Sequence, residues 1–168
     1  MMHKIYFTKG FSLVEMMVYL AIMLLLAGAL ITTFFSLGTV LERNATERAL
    51  TRGAQVSFER ISRIIRSADT VNLGLSTLGT SMGTLALNES ATTTRFYISG
   101  GNLVIEVNGV EHGPLTSDSI TVQNVVFNRY VGSTTEMVRV ALTLSAVGRS
   151  SSSTQTFYSS AILRGSYE

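Results

Sequence analysis

Apolar residues fill one long run near the start of the chain and then give way to two periodic patterns. In the run over residues 11–41, Glu15 is the one side chain that is ionised at neutral pH. Because about 20 apolar residues are enough to cross a bilayer as a helix, we predict a transmembrane helix over 11–41. Apolar residues then recur every three or four positions over 42–68, which indicates the amphipathic half of the same helix. The predicted apolar stripe consists of Leu50, Ala54, Phe58, Ile61, Ile65 and Ala68.

A second pattern begins after Asp69, where glycine, serine and threonine separate short runs of alternating apolar and polar residues. Alternation with a period of two is typical of strands that bury one face. The pairs Gly100-Gly101 and Asn108-Gly109 predict hairpin turns, and the alternation slips by one position at Asn124. We predict an α+β fold, in which the long helix packs on a C-terminal antiparallel sheet. The candidate strands are 84–88, 93–99, 102–107, 119–130, 136–146 and 154–164, and the candidate loops include 71–84 and 148–153.

Composition and charge change this picture mainly at the N-terminus. The chain has 168 residues and no cysteine, so neither a disulfide nor a thiolate metal site can form. Its formal charge of +2 is due to Lys4 and Lys9, because the first ten residues hold no acid and the remaining 11 arginines balance 11 acidic residues. This basic leader gives no support to nucleic-acid binding. The six arginines of 42–68 outnumber three glutamates and are predicted to form a solvated face with i,i+4 pairs, with salt bridges between subunits as the alternative.

Motifs of known catalytic centres are absent from the sequence. It contains neither a G-x-S-x-G nucleophile elbow nor a Walker A string. We interpret His112, which stands in E-H-G-P, as part of an exposed turn. The acidic residues are scattered and form no D-x-D-like cluster for calcium. We therefore predict a protein that is not an enzyme and has no catalytic residue, no metal site and no cofactor.

The junction between the leader and the apolar run carries the most specific pattern, K-G-F-S-L-V-E over 9–15. A carboxylate at the edge of a membrane-length helix is costly and usually has a partner or a function; the alternative is that Glu15 reaches the lipid headgroups. The cationic leader favours a cytoplasmic N-terminus, which places 69–168 outside the cytoplasm. The pattern resembles the type IV pilin and pseudopilin family, in which a basic leader ends in Gly, Phe follows, Glu comes four residues later, and an apolar helix continues the chain.

The resemblance implies how the N-terminus is processed and used. A prepilin peptidase would cut between Gly10 and Phe11, which makes 1–10 a removable leader, and would methylate the new α-amino group of Phe11. Glu15 would then pair with the α-amino group of a neighbouring subunit, because each group alone is costly in apolar surroundings and pairing offsets much of that cost. The implied partners are other pilin-like subunits, the prepilin peptidase, an inner-membrane platform protein and an assembly ATPase.

The sequence departs from many major pilins in two ways, of which the lack of cysteine favours a minor pilin or pseudopilin. The chain has no cysteine, and its single proline, Pro114, lies outside the predicted helix. The predicted function is that of a structural subunit of a type IV pilus-like filament or type II secretion machine, held in the inner membrane before assembly. A role in a DNA-uptake competence system is a further alternative that the sequence leaves open. The alternative function is a single-pass membrane-anchored binding protein with a β-rich ectodomain.

Overall fold

The long N-terminal helix predicted from the sequence is present as a single element. A computed structural model describes Gly10 and residues 12–133, 135–148 and 152–166. The chain divides into two compact units, residues 1–41 and 42–168. Helix α1, Leu13–Ser67, begins in the first unit and ends in the second.

In the first unit, every side chain described between Ser12 and Leu41 is exposed. Here α1 is long and apolar enough to cross a membrane, and it is the one helix of that kind in the part of the chain that the structure describes. Thr32 and Thr33 each donate a hydrogen bond to the carbonyl oxygen of Ala29, at 2.9 and 2.8 Å. Their hydroxyl groups are therefore satisfied within the helix, as a lipid environment requires.

The described residues of the second unit form eight strands after α1. The strands are β1 Thr70–Val71, β2 Leu85–Glu89, β3 Thr92–Ser99, β4 Asn102–Val107, β5 Val110–Pro114, β6 Thr121–Val131, β7 Glu136–Val147 and β8 Ser152–Ile162, followed by a short 3₁₀ helix, Arg164–Ser166. They form two antiparallel sheets, one with the order β1-β2-β3-β4-β5 and one with the order β6-β7-β8. The α+β prediction is confirmed. The strands form two sheets where the sequence predicted one, because alternation identifies strands and does not indicate where one sheet ends.

The predicted hairpin turns are confirmed by their backbone angles. Gly100 and Gly101 have φ of +57° and +78°, and Asn108 and Gly109 have φ of +51° and +81°. Positive φ at both central residues is the geometry that suits the twist of two antiparallel strands. These turns join β3 to β4 and β4 to β5. The predicted slip in β6 is present as a register shift just before Asn124.

Two predictions from local sequence were wrong. His112 lies in strand β5 and not in a turn, because the turn at Asn108-Gly109 directs the following residues back into pairing with β4. Strand β8 begins at Ser152, inside the predicted loop 148–153, because its first serines continue the ladder with β7. In both places hairpin pairing with the preceding strand decides the structure against a weak local preference.

The core of the second unit lies between one stripe of α1 and the inner faces of both sheets. Five of the six predicted stripe residues are at most 2% exposed, and Phe58 is half-buried. They belong to one cluster with Phe96 of the first sheet and Phe127 of the second. The amphipathic half of α1 is therefore the layer that the two sheets share.

Candidate functional site

The predicted processing site lies just before α1. The leader charges Lys4 and Lys9 and the predicted methylation site Phe11 lie outside the residues that the structure describes. Gly10 is exposed and precedes the helix, and a Cβ added to it would meet no described atom within 4 Å. The fold around Gly10 therefore does not require glycine, and a requirement for glycine there would come from an enzyme that binds this segment.

Glu15 lies in the first turn of α1. The N–H of Met16 donates to the carbonyl oxygen of Ser12 at 3.1 Å, so the helical hydrogen bonding starts from Ser12. The first turn of a helix has backbone N–H groups without intrahelical acceptors, and the helix dipole favours a carboxylate there. The helix thus presents Glu15 as an exposed carboxylate near its N-terminal end.

Tyr19 is the neighbour of Glu15 on the helix surface. Its hydroxyl donates a long hydrogen bond of 3.4 Å to Oε1 of Glu15. The i,i+4 spacing that brings these side chains together is visible in the sequence, although the sequence-based prediction named Glu15 alone. A phenol donates a hydrogen bond without supplying a positive charge, so Tyr19 leaves the charge of Glu15 uncompensated.

No cation is available to Glu15 within the first unit as far as the structure describes it. Residues 12–41 contain no lysine, arginine or histidine. The next cation, Arg43, pairs with Glu47 at 3.2 Å. An ionised carboxylate in apolar surroundings is costly unless it is paired. In a membrane or a helical assembly, the carboxylate must therefore be stabilised by headgroups, by water or by a cation outside the described part of this unit.

Two ion pairs of the second unit join neighbouring strands. Arg129 binds Glu136 through two contacts, Nε to Oε1 at 2.6 Å and Nη2 to Oε2 at 2.9 Å, and this hydrogen bonding raises the pKa of Arg129. Arg95 Nη2 binds Glu106 Oε2 at 2.6 Å. The first pair spans β6 and β7 and the second spans β3 and β4. Their geometry supports strand register, and it provides no obvious reactive group.

The arginine-rich face of α1 matches the prediction of a solvated surface. Arg43 and Glu47, and likewise Arg63 and Glu59, form exposed i,i+4 pairs. Such pairs contribute little to stability. Across residues 12–133, 135–148 and 152–166, no three His, Cys, Asp or Glu side chains converge on a possible metal position, and His112 is exposed on β5.

The N-terminal part of the chain therefore combines three features: an exposed segment at Gly10, a carboxylate at Glu15 and an uncharged apolar helix after it. Residues 8–31 match the family model of the prokaryotic N-terminal methylation motif. Over these residues the chain is type IV pilin-like. The match covers the junction and the first part of the apolar helix, and the β-rich unit lies outside it. Comparison with curated proteins and with solved structures gave no match.

The methylation motif is one that pilin-like proteins carry. Pilin-like proteins are structural, and those with this motif generally assemble with other pilin subunits and are processed by prepilin peptidase. The motif and the exposed apolar helix fit a pilin anchored in the inner membrane.

Proposed function

We propose that this pilin-like chain is a minor pilin or pseudopilin, a structural subunit of a type IV pilus-like filament or a type II secretion machine. The observation that carries the proposal is the carboxylate of Glu15, five residues after Gly10, on an exposed helix that holds no cation between Ser12 and Leu41. A carboxylate with no cationic partner among the described residues of its own apolar segment suits a cationic partner on another chain.

Maturation by prepilin peptidase would supply that partner. Cleavage between Gly10 and Phe11 creates an α-ammonium group, which the same enzyme class methylates on Phe11. The carboxylate of Glu15 then pairs with the α-amino group of Phe11 on a neighbouring subunit. A subunit added out of register would leave both groups unpaired in apolar surroundings, so this pair would specify the axial position of each subunit.

The organisation of the chain follows from this role. Residues 1–10 form the leader, with Lys4 and Lys9 on the cytoplasmic side. Residues 11–41 form the transmembrane and assembly helix, whose exposed apolar surface suits lipid before assembly and other helices afterwards. Residues 42–68 and 69–168 form the extracytoplasmic part. Because the sequence has no nucleotide-binding motif, an assembly ATPase and an inner-membrane platform protein would drive its incorporation.

The test is the chemical identity of the N-terminus. The full chain is purified from membranes of a host with an active prepilin peptidase, and its N-terminal peptide is measured by mass spectrometry. We expect the chain to start at Phe11 with one added methyl group. The variant Gly10→Leu should keep the leader, because the open space around Gly10 lets the protein fold while the peptidase is blocked. An intact Met1 in the unmodified chain would overturn the proposal and favour a permanently anchored binding protein.

A further inference from the structure

The two sheets have four edges in the described part of the chain, and three of them are protected. Strand β1 has two residues, and β5 ends at Pro114 and pairs irregularly with β4. Strand β6 is bulged, and its outer edge is covered: Gly79 and Gly83 donate their N–H groups to the carbonyl oxygens of Phe127 and Val125, at 2.8 and 2.9 Å. Short strands, proline, bulges and covering loops are means by which proteins prevent unwanted pairing at an edge.

Strand β8 forms the fourth edge and has none of these features. It is 11 residues long and pairs with β7 without a register shift. Its sequence, SSTQTFYSSAI, contains no charge, proline or glycine. Within the described residues, no strand and no backbone hydrogen bond occupies its second edge. A row of backbone donors and acceptors is therefore open to an extended chain.

A groove of about 560 Å³ runs beside this edge, between α1 and β8. Phe58 and Ser62 line it from the helix, and Tyr158 and Ser159 line it from the strand. Phe58 remains half-buried although it belongs to the apolar stripe of α1. Because alternate side chains of a strand point to the same face, every second residue of an added strand would enter the groove and cover Phe58.

The helix wall of the groove carries positive charge. Arg63 and Arg66 line it together with Glu59. Glu59 already pairs with Arg63 at 2.9 Å, whereas Arg66 has no acidic partner among the described residues. Charge complementarity therefore favours an added strand with an acidic residue opposite Arg66. A second copy that paired through its own β8 would bring no acidic side chain, because β8 has none.

We propose that the edge of β8 and the α1/β8 groove bind an extended segment of a neighbouring pilin-like subunit. The segment would add a strand to β8, place an apolar side chain against Phe58 and pair an acidic one with Arg66. The inference rests on the proposed function for the identity of the partner. The edge and the groove themselves lie within residues 42–168 and are independent of Glu15.

Photocross-linking of the full chain in its native membrane tests this inference. The cross-linking residue p-benzoylphenylalanine replaces Thr154 of β8 or, as the matched control, Thr121 of β6. Both threonines are exposed, and both pair with Ser145 of β7 from opposite edges of the same sheet. We expect position 154 to cross-link to a strand-forming, acidic segment of another pilin-like subunit, mapped by mass spectrometry, and position 121 to give background yield.

Charge reversal then tests the contact with Arg66. Arg66→Glu should lower the yield from position 154 by roughly two- to fivefold, the range expected for an exposed ion pair. Arg60→Glu is the control, because Arg60 is exposed on the same helix and does not line the groove. Equal effects of the two reversals would overturn the inference.

The cross-link pattern also separates this inference from the proposed function. Cross-linking to β8 of a second copy, cross-linking to a segment without an acidic residue, equal yields from both positions, or no cross-link from position 154 would each overturn it. If the chain is cut at Gly10 and no cross-link forms, the strand-docking inference fails and the filament proposal stands. If the cross-link forms on a chain that keeps Met1, the filament proposal fails and the docking edge stands.

Discussion

Ile120 packs against Gly53 of α1 so closely that a Cβ at position 53 would overlap its Cδ1. Ile120 is 3% exposed and lies in the connection between the two sheets, just before β6. Glycine in a helix interior costs about 1 kcal/mol relative to alanine. The occurrence of glycine at position 53 is therefore explained by the close approach of Ile120 and not by helix formation.

We expect Gly53→Ala to lower the free energy of unfolding by about 1 kcal/mol. Overpacking a core costs about 1–3 kcal/mol, and better helix propensity offsets about 1 kcal/mol of it. The measurement is urea unfolding of the full chain in detergent, followed by near-UV circular dichroism. Thr51→Ala, at an exposed position of the same helix, should stay within about 0.5 kcal/mol of the unmodified protein. An increase in stability for Gly53→Ala would show that Ile120 moves aside without cost.

Ser57 is fully buried, and its Oγ has no hydrogen-bond partner among the residues that the structure describes. An unpaired buried hydroxyl costs about 1–3 kcal/mol, so we expect Ser57→Ala to raise the free energy of unfolding by about 1 kcal/mol. Ser67 of the same helix is the matched control, because its Oγ contacts Ile64 O at 3.2 Å and Glu89 Oε2 at 3.1 Å. Ser67→Ala should lower stability by about 1 kcal/mol. Unfolding curves that shift in the same direction for both variants would contradict this account.

The ion pair between Arg129 and Glu136 should contribute more to the free energy of unfolding than the ion pair between Arg63 and Glu59. The first is bidentate with side chains 28% and 17% exposed, and the second is a single contact with side chains 65% and 67% exposed. Double-mutant cycles with alanine should give a coupling energy of about 1 kcal/mol for the first pair and about 0.3–0.5 kcal/mol for the second. Equal coupling energies would mean that the fork geometry of Arg129 adds no stability.

Tyr97 should make the second unit sensitive to alkali. Desolvation, and after it the hydrogen bond that the hydroxyl donates to Glu111 at 3.2 Å, raises the pKa of Tyr97 above its ordinary value of 10. A raised pKa in the folded state contributes stability that is present below about pH 10 and is lost as pH rises through the folded-state pKa. We expect Tyr97→Phe to show a shallower loss of unfolding free energy above pH 10. Identical alkaline slopes for the two proteins would exclude Tyr97 as the cause.

These features show which parts of the structure local sequence could predict. The stripe of α1 and the turn at Gly100-Gly101 follow from periodicity and turn chemistry, which act over a few residues. Ser57 was not predicted as a core residue because it is polar, although it lies three positions after Ala54 and four before Ile61, on the buried stripe. The outer edge of β6 is covered because Phe127 pairs with Gly79, which is more than 40 residues away in the sequence. Local sequence patterns cannot predict a pairing between residues so far apart.

The candidate site was predictable for a different reason. Glu15 is identified by its chemistry, because a single carboxylate in an apolar run is conspicuous without any knowledge of the fold. Tyr19 was not named, although its i,i+4 spacing from Glu15 on the predicted helix is the signal that could have indicated their contact at 3.4 Å. The open edge of β8, by contrast, could not be predicted, since it depends on the order of the strands in the sheet.

The charge of Glu15, rather than its hydrogen-bonding capacity, should decide incorporation into a filament. Glu15→Gln keeps the shape and a hydrogen-bond acceptor but removes the charge, so the α-ammonium of a neighbouring subunit would lose its counter-ion. Leaving one partner of a buried ion pair unpaired costs about 3–5 kcal/mol. We therefore expect incorporation into the filament fraction to fall more than about tenfold for Glu15→Gln and for Glu15→Ala, with membrane insertion retained.

Tyr19→Phe is the matched control for Glu15→Gln. It removes the hydroxyl that contacts Oε1 and leaves the carboxylate charged. Incorporation should stay within about threefold of the unmodified chain, because the 3.4 Å hydrogen bond is long and exposed and therefore weak. Quantitative immunoblots of sheared filaments and of washed membranes measure both outcomes in the same cells. If Glu15→Gln is incorporated like the unmodified chain, an intersubunit charge pair is excluded. If Tyr19→Phe fails as completely as Glu15→Gln, the hydroxyl is part of the assembly site, and the proposal that the charge of Glu15 acts alone is wrong.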